Sequence, residues 1–97
     1  MSRIICAAIH IKDGKKRAHQ PRNIDTGIVI CGRRHHNCIL TAAEFMGKDA
    51  IKGEDRTVQG FLTEDDNFFD REDSALIAFE AGQTDRNTKC LFSEDLY

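Results

Sequence analysis

The sequence has no excess of positive charge and no long apolar run. Its 14 Lys and Arg residues stand against 16 Asp and Glu residues, for a formal net charge of −2. A basic field of the kind that drives non-specific binding to DNA or RNA is therefore missing, which disfavours a polynucleotide partner. The longest apolar-rich run, Ile4 to Ile11, is far shorter than the roughly 20 residues needed to span a bilayer. We expect a soluble protein with no membrane association, and its 97 residues fit a single domain with one modest core.

The sequence also lacks a C-x-x-C pair, a basic-then-apolar signal peptide, internal repeats and low-complexity tracts. Its cysteines are scattered at Cys6, Cys31, Cys38 and Cys90. Reduced thiols in a cytosol fit this pattern best, so we expect a cytoplasmic protein. The only proline, Pro21, interrupts a polar and basic run that we interpret as a loop from Lys15 to Asn23.

The stretch from Ile28 to Leu40, I-V-I-C-G-R-R-H-H-N-C-I-L, combines an apolar run, one glycine and a cluster of basic residues. The apolar residues stop at Gly32 and a pattern of helical period follows, which predicts a strand running into a helix. Arg33 and Arg34 then lie where a helix begins, although the positive end of the helix dipole normally attracts acids. A bound anion would resolve this conflict, because free backbone N–H groups and guanidinium groups both donate to phosphate oxygens. The stretch predicts a site for a phosphate-bearing ligand.

The first half of the chain predicts two strands and one helix. The alternation in strand Ile4 to Lys12 places one apolar set on a single face: Ile5, Ala7, Ile9 and Ile11. The second strand covers Ile28 to Gly32, and the helix runs from Arg34 to Met46 with Gly47 as its C-cap. Steps of 100° place Ile39, Ala43 and Met46 at the centre of the buried helix face. The same spacing puts His35 and His36 on the buried side of the helix and turns Arg34 and Asn37 outward.

The second half predicts a hairpin followed by a helix. Lys48 to Arg56 has no period and predicts a loop, whereas Thr57 to Thr63 alternates as a strand with Phe61 on its more polar face. A turn leads into a short return strand, Asn67 to Phe69. Asp70 is then the N-cap of a helix that ends at Gly82. We expect the core-facing residues of this helix to be Ala75, Leu76, Ala78 and Phe79, with Ile77 on the opposite side as a second apolar contact. Thr84 to Lys89 is a polar link to the terminal segment.

This order of elements predicts a single α+β domain over residues 1–97, with a mainly antiparallel sheet and two helices packed on it.

Two kinds of reactive site can be considered and are not favoured. Cys31, His35, His36 and Cys38 are residue types that bind zinc, but their spacing matches no usual knuckle, and consecutive histidines point about 100° apart. Cys38 could act as a nucleophile activated near the arginines, but no third member or oxyanion element has a recognisable spacing. Buried cysteine as a small hydrophobe, and core histidine bonded to a carbonyl, are the simpler interpretations. We expect no metal, no cofactor and no catalytic residues.

Two residues outside the central stretch have a ligand-binding and a structural interpretation. Phe61 could stack on a nucleobase or be covered by a helix or a second subunit. Arg71 projects toward the protein body, where it could pair with Glu72, Asp73 or the tail acids, or contact a phosphate. For the acidic tail stretch of Ser93, Glu94 and Asp95 we favour an architectural role.

Three blocks of the sequence resemble a known family of small phage proteins. They are G-R-R-H-H-N-C-I, then Q-G-F-L-T with N-F-F-D-R-E-D-S-A-L-I-A-F-E-A-G-Q, and finally L-F-S-E-D-L-Y. Together they resemble the first Thoeris anti-defence family, whose members are sponges for cyclic nucleotide immune signals. The resemblance covers most of the chain and is weakest from Ala50 to Arg56. The family's motifs fall on the following positions: Gly32, Arg34, His35, Gly60, Phe61, Arg71, Glu72, Ala81, Gly82, Gln83 and Leu91 to Tyr97.

The resemblance implies a function, a ligand and an assembly. Proteins of that family are α+β, form dimers and hexamers, and hold glycocyclic ADP-ribose at the dimer interface without cleaving it. Some also bind cyclic oligonucleotides at separate sites, which would be a second ligand class here. His36 and Cys38 depart from the family's pattern, and the chain is short for it.

We therefore expect a phage protein in the host cytosol that sequesters a cyclic ADP-ribose-type signal as a homodimer or hexamer. The expected ligand-binding residues are Arg34, His35, Phe61, Arg71 and Gln83, with the two arginines on phosphates and Phe61 stacked on a base. One alternative is a small nucleotide-degrading enzyme that uses His35 or His36 as acid or base. Another is a structural or interaction protein of the phage whose arginines pair with the tail acids.

Overall fold

The sheet is built around its first strand, which pairs on both sides. The computed structural model describes residues 3–47, 57–84 and 89–96. Its elements in chain order are β1 (Ile4–Ile11), β2 (Ile28–Gly32), α1 (His35–Met46), β3 (Thr57–Thr63), β4 (Phe68–Asp70), α2 (Arg71–Glu80) and a 3-10 turn (Ser93–Asp95). The predicted loop from Lys48 to Arg56 lies outside the described residues, as does most of the predicted link from Thr84 to Lys89.

The four strands have the order β2-β1-β3-β4, and every neighbouring pair is antiparallel. The predicted α+β class is confirmed, and the strands and helices begin and end within about two residues of their expected bounds. Residues of β1, β3, both helices and the tail share one hydrophobic core. The core therefore lies between one face of the sheet and the two helices. Neither described helix has the length and apolar character needed to cross a membrane.

A bulge near the start of β1 changes which isoleucine enters the core. The pairing of β1 with β3 shifts register between Ile4 and Cys6. An extra residue at a bulge reverses the alternation of side chains on one side of it. Ile4 consequently joins Ala7 in the core at 4% exposure, whereas Ile5 is 57% exposed. The prediction that Ile5 shares the buried face was wrong for this reason.

Helix α1 packs on the sheet through smaller side chains than predicted. Its buried residues are His35, Cys38 and Ala42, with Ile39 and Met46 only partly buried. Small side chains allow a helix to approach a sheet closely, and the Cys38 Sγ lies 3.6 Å from the carbonyl oxygen of Ala7. The prediction that His36 points inward was wrong, because this rotation of the helix leaves His36 exposed.

Helix α2 begins as predicted but also presents a different face. The Asp70 side chain accepts a hydrogen bond of 2.9 Å from the backbone N–H of Asp73. The buried residues are Ser74, Ala75 and Ala78, and Ile77 packs against the core. Leu76 and Phe79, both predicted to be buried, are 50% and 40% exposed. The second apolar surface predicted at Ile77 is therefore formed by these two residues instead.

Candidate functional site

Both helices begin at the same corner of the molecule. His35 is the first residue of α1 and Arg71 is the first residue of α2. The Arg71 Nη2 atom lies 3.3 Å from the His35 Nδ1 atom. Because each helix N-terminus carries a partial positive charge, their convergence favours an anion at this place. We call this region the helix-start corner, and its side chains are Arg34, His35, Gln59, Arg71, Phe92 and Glu94.

The two hydrogen-bond contacts of His35 fit a neutral ring with its proton on Nε2. Its Nε2 lies 2.7 Å from the carbonyl oxygen of Gly60, and a carbonyl can only accept, so Nε2 carries the proton. Nδ1 is then a lone-pair acceptor for the Arg71 guanidinium. Burial, followed by the positive charge of Arg71, lowers the pKa of His35, although the Gly60 hydrogen bond acts in the opposite direction. The buried ring also lies edge-on to Phe61, with 4.9 Å between the ring centroids.

Gly60 makes this arrangement possible because it has no side chain. Gly60 lies in β3 and pairs with Asp70 in β4. A Cβ atom built on Gly60 would collide with the Phe69 carbonyl oxygen. Glycine therefore permits β4 to approach β3 closely. The same residue supplies the carbonyl that fixes His35.

Arg71 contacts neutral groups rather than a carboxylate. Its Nη2 donates to the Gln59 Oε1 at 2.7 Å, and its guanidinium carbon lies 4.7 Å from the centre of the Phe92 ring. The Nε atom is buried and has no hydrogen-bond partner among the described residues. The ion pair expected with Glu72 or Asp73 is not seen in the described part of the chain. Among the described residues, no paired carboxylate therefore offsets the positive charge of this guanidinium.

Arg34 caps α1 and lies beside the tail. The first turn of α1 contains no acid, and the Arg34 backbone N–H donates to the Asn37 Oδ1 at 3.1 Å. The Arg34 Nη1 lies 3.9 Å from the Glu94 Oε1, and the Arg34 side chain is only 23% exposed. The prediction that Arg34 points outward was thus wrong, because the tail folds against it. Glu94 places a carboxylate next to the helix start, where the sequence predicted a bound anion.

Three of the five predicted ligand-binding residues meet at the helix-start corner: Arg34, His35 and Arg71. Phe61 lies beneath them with 0% exposure, so its ring has no open face for a base. This corrects the expectation of a stacking role for Phe61, because the two helices cover the face of β3 that carries it.

Gln83 lies apart from the corner, beyond the C-terminal end of α2. Its side-chain amide accepts from the Ile4 backbone N–H at 2.8 Å and donates to the Ile4 carbonyl oxygen at 2.8 Å. It also lines a cavity of about 270 Å³ together with Arg3, Ile5 and Leu96. In this structure Gln83 holds the start of β1 in place.

Cys38 and Cys6 lack the environment of a nucleophile. Cys38 is fully buried, with its Sγ 3.4 Å from the carbonyl oxygen of Arg34. Burial raises the pKa of Cys38 to about 11 and that of Cys6 to about 12. Activation would require a shift in the opposite direction. Among the described residues, no three His, Cys, Asp or Glu side chains form a group that could hold a metal ion.

Three residues of the helix-start corner were not among the predicted ligand-binding residues: Gln59, Phe92 and Glu94. Gln59 shares a strand face with Phe61, and a correct assignment of that face to the helix side would have placed it near Arg71. Phe92 and Glu94 belong to the terminal block L-F-S-E-D-L-Y. No role was predicted for Phe92, and the tail acid Glu94 was expected to be architectural or to pair with an arginine. Their position depends on a long-range hydrogen bond of 2.9 Å from the Leu91 N–H to the Arg71 carbonyl oxygen.

A family of phage proteins matches almost the whole chain. Residues 3–97 match a family model described as Phage T4 y16D protein. No curated protein and no solved structure matches the chain.

Proposed function

The chain belongs to the phage T4 y16D protein family, and on that premise we propose that it is a phage protein that binds and sequesters a cyclic ADP-ribose-type signal, such as glycocyclic ADP-ribose. The observation that carries this proposal is the meeting of two helix N-termini with Arg34 and Arg71. A diphosphate is the part of such a ligand that this arrangement would recognise. Guanidinium groups and free backbone N–H groups both donate to phosphate oxygens.

Arg71 supports this role through its unused hydrogen-bonding capacity. Its Nη2 contacts two neutral acceptors, and its buried Nε–H has no partner among the described residues. Unsatisfied buried donors are uncommon and call for an explanation, one of which is a ligand. A phosphate oxygen at the corner would accept from this guanidinium after a small side-chain movement.

The state of His35 favours binding over cleavage. A general acid or base must reach the substrate with a free ring nitrogen. Both ring nitrogens of His35 are engaged, by the Gly60 carbonyl and by Arg71, and the pKa of the ring is lowered by burial. The alternative of a nucleotide-degrading enzyme would therefore have to use the exposed His36, which lies outside the corner.

We extend the proposal to a homodimer or a larger homo-oligomer in the host cytosol. Leu76 and Phe79 project from neighbouring positions of α2 and are at least 40% exposed. Large exposed apolar side chains on one helix face are common at subunit interfaces. Sedimentation velocity of the wild type and of Phe79→Glu tests this, because an unchanged monomeric profile would contradict self-association.

A capture experiment tests the function. The purified protein is mixed with glycocyclic ADP-ribose or cyclic ADP-ribose, separated from free ligand and heat-denatured, and the released material is analysed by mass spectrometry. Release of intact ligand supports sequestration, altered ligand indicates an enzyme, and no ligand favours a structural phage protein. Arg34→Ala and Arg71→Ala should each lose capture. Arg22→Ala, on the exposed loop between β1 and β2, is the matched control and should retain it.

A further inference from the structure

An exposed aromatic ring lies next to the cations of the helix-start corner. Phe92 is 46% exposed, whereas Phe61 is fully buried. The Arg71 guanidinium carbon lies 4.7 Å from the centre of the Phe92 ring. One side of the ring is therefore held by a cation, and a large part of the ring surface remains open to solvent.

We propose that Phe92 is the residue on which the nucleobase of the ligand stacks. This inference rests on the proposed function and gives to Phe92 the role that the sequence suggested for Phe61. Bases stack on aromatic side chains with little dependence on sequence, because every base has a π-face. An arginine packed on the ring adds a cation–π contact and fixes the position of the ring.

Two hydrogen bonds brace the backbone around Phe92. Its N–H donates to the Asp95 Oδ2 at 2.9 Å, and its carbonyl oxygen accepts from the Asp95 N–H at 2.9 Å. The preceding residue, Leu91, is completely buried, and its N–H bonds to the Arg71 carbonyl oxygen. A ring on such a braced turn loses little conformational freedom when a base stacks on it, which favours affinity.

The phosphate and base positions are adjacent in this arrangement. Phe92 and Glu94 lie two positions apart on the tail, and Glu94 lies 3.9 Å from Arg34. A nucleotide with its diphosphate near Arg34 would thus have its base within reach of the Phe92 ring. The compact ring of a cyclic ADP-ribose-type ligand, with one base and one diphosphate, fits two contacts that lie this close together.

Two probes separate stacking from support of Arg71. Cyclic ADP-ribose and inorganic pyrophosphate both carry a diphosphate, but only the first carries a base. By titration calorimetry, Phe92→Ala should weaken cyclic ADP-ribose binding about tenfold and leave pyrophosphate binding unchanged. Phe92→Trp should restore the lost affinity because it restores a π-face. Phe45→Ala, which removes the same ring from a site on α1 that is 83% exposed, is the matched control and should bind both probes like the wild type.

Different binding results would contradict the stacking role and the proposed function. Unchanged binding of cyclic ADP-ribose by Phe92→Ala would overturn the stacking role and leave the proposed function standing. An equal loss for both probes would also overturn it, because Phe92 would then act only by positioning Arg71. A wild-type protein that binds neither probe would overturn the proposed function, and the stacking role with it.

Discussion

Arg71 Nη2 and His35 Nδ1 are 3.3 Å apart, so the first residues of the two helices touch although they are 36 positions apart in the chain. The contact requires a neutral imidazole, because a protonated ring would place a donor against a donor. Gly60 fixes the tautomer from the other side, because its carbonyl oxygen accepts the hydrogen bond from Nε2 at 2.7 Å. The geometry of the helix-start corner is therefore linked to the protonation of one histidine.

Stability should fall as the pH drops below about 6.5. The pKa of His35 is lowered in the folded chain from its ordinary value of about 6.5, by burial first and by the charge of Arg71 next. The unfolded chain therefore takes up a proton at a pH where the folded chain does not, and stability is lost from pH 6.5 down to the lowered pKa. The loss from one proton cannot exceed about 1.4 kcal/mol per pH unit.

Urea unfolding at several pH values from 8 to 5 measures this fall in the free energy of unfolding. His35→Gln, which keeps a donor and an acceptor, should flatten the profile, and an equally steep profile in this variant would contradict the assignment.

Gly60→Ala should destabilise the fold strongly. The added Cβ would collide with the Phe69 carbonyl oxygen, so β4 must move away and the acceptor of His35 moves with β3. Steric overpacking of this kind costs about 3 kcal/mol. Gly14→Ala is the control, since Gly14 has a φ of +77° but no atom within 4 Å of a new Cβ, and it should cost only about 1 kcal/mol. A loss for Gly60→Ala no larger than that for Gly14→Ala in denaturant unfolding would contradict this prediction, because it would show that β4 relieves the crowding at little cost.

The extents of the elements could be predicted because they depend on local signals. Two strands have the bounds that were predicted, Ile28–Gly32 and Thr57–Thr63. Asp70 caps α2 as expected. Strand alternation, glycine at strand and helix ends and an aspartate before a helix all act over a few residues. These signals therefore remain readable without any knowledge of tertiary contacts.

The orientation of the elements could not be predicted, because it depends on packing between distant parts of the chain. The bulge that exposes Ile5 appears only in the register of β1 with β3. The side of α1 that packs on the sheet carries the small residues Cys38 and Ala42, whereas the larger Leu40 is 64% exposed. Part of the corner was missed for the same reason, since the tail that carries Phe92 is placed by a contact 20 positions away, between Leu91 and Arg71.

The four thiols should differ widely in reactivity. Cys31 is exposed, whereas Cys38 is fully buried and burial raises its pKa to about 11. Because the thiolate is the reactive form, a maleimide-type reagent at pH 7 should label Cys31 first and Cys38 only after unfolding. Peptide mapping by mass spectrometry measures the order. Rapid native labelling of Cys38 would show that α1 separates readily from the sheet.

The tail carboxylate should limit the affinity of the corner for anions. Glu94 lies 3.9 Å from Arg34 and its side chain is 75% exposed, so the pair should contribute little to stability, about 0.5 kcal/mol or less. A phosphate at the same place must displace this carboxylate or tolerate its repulsion. Glu94→Gln should therefore bind inorganic pyrophosphate several times more tightly than the wild type, while its unfolding midpoint stays nearly unchanged. Asp25→Asn is the control, because Asp25 pairs with Lys16 on an exposed loop at a similar distance of 3.8 Å. Weaker pyrophosphate binding by Glu94→Gln would contradict this role and would mean that the carboxylate holds Arg34 in its binding position.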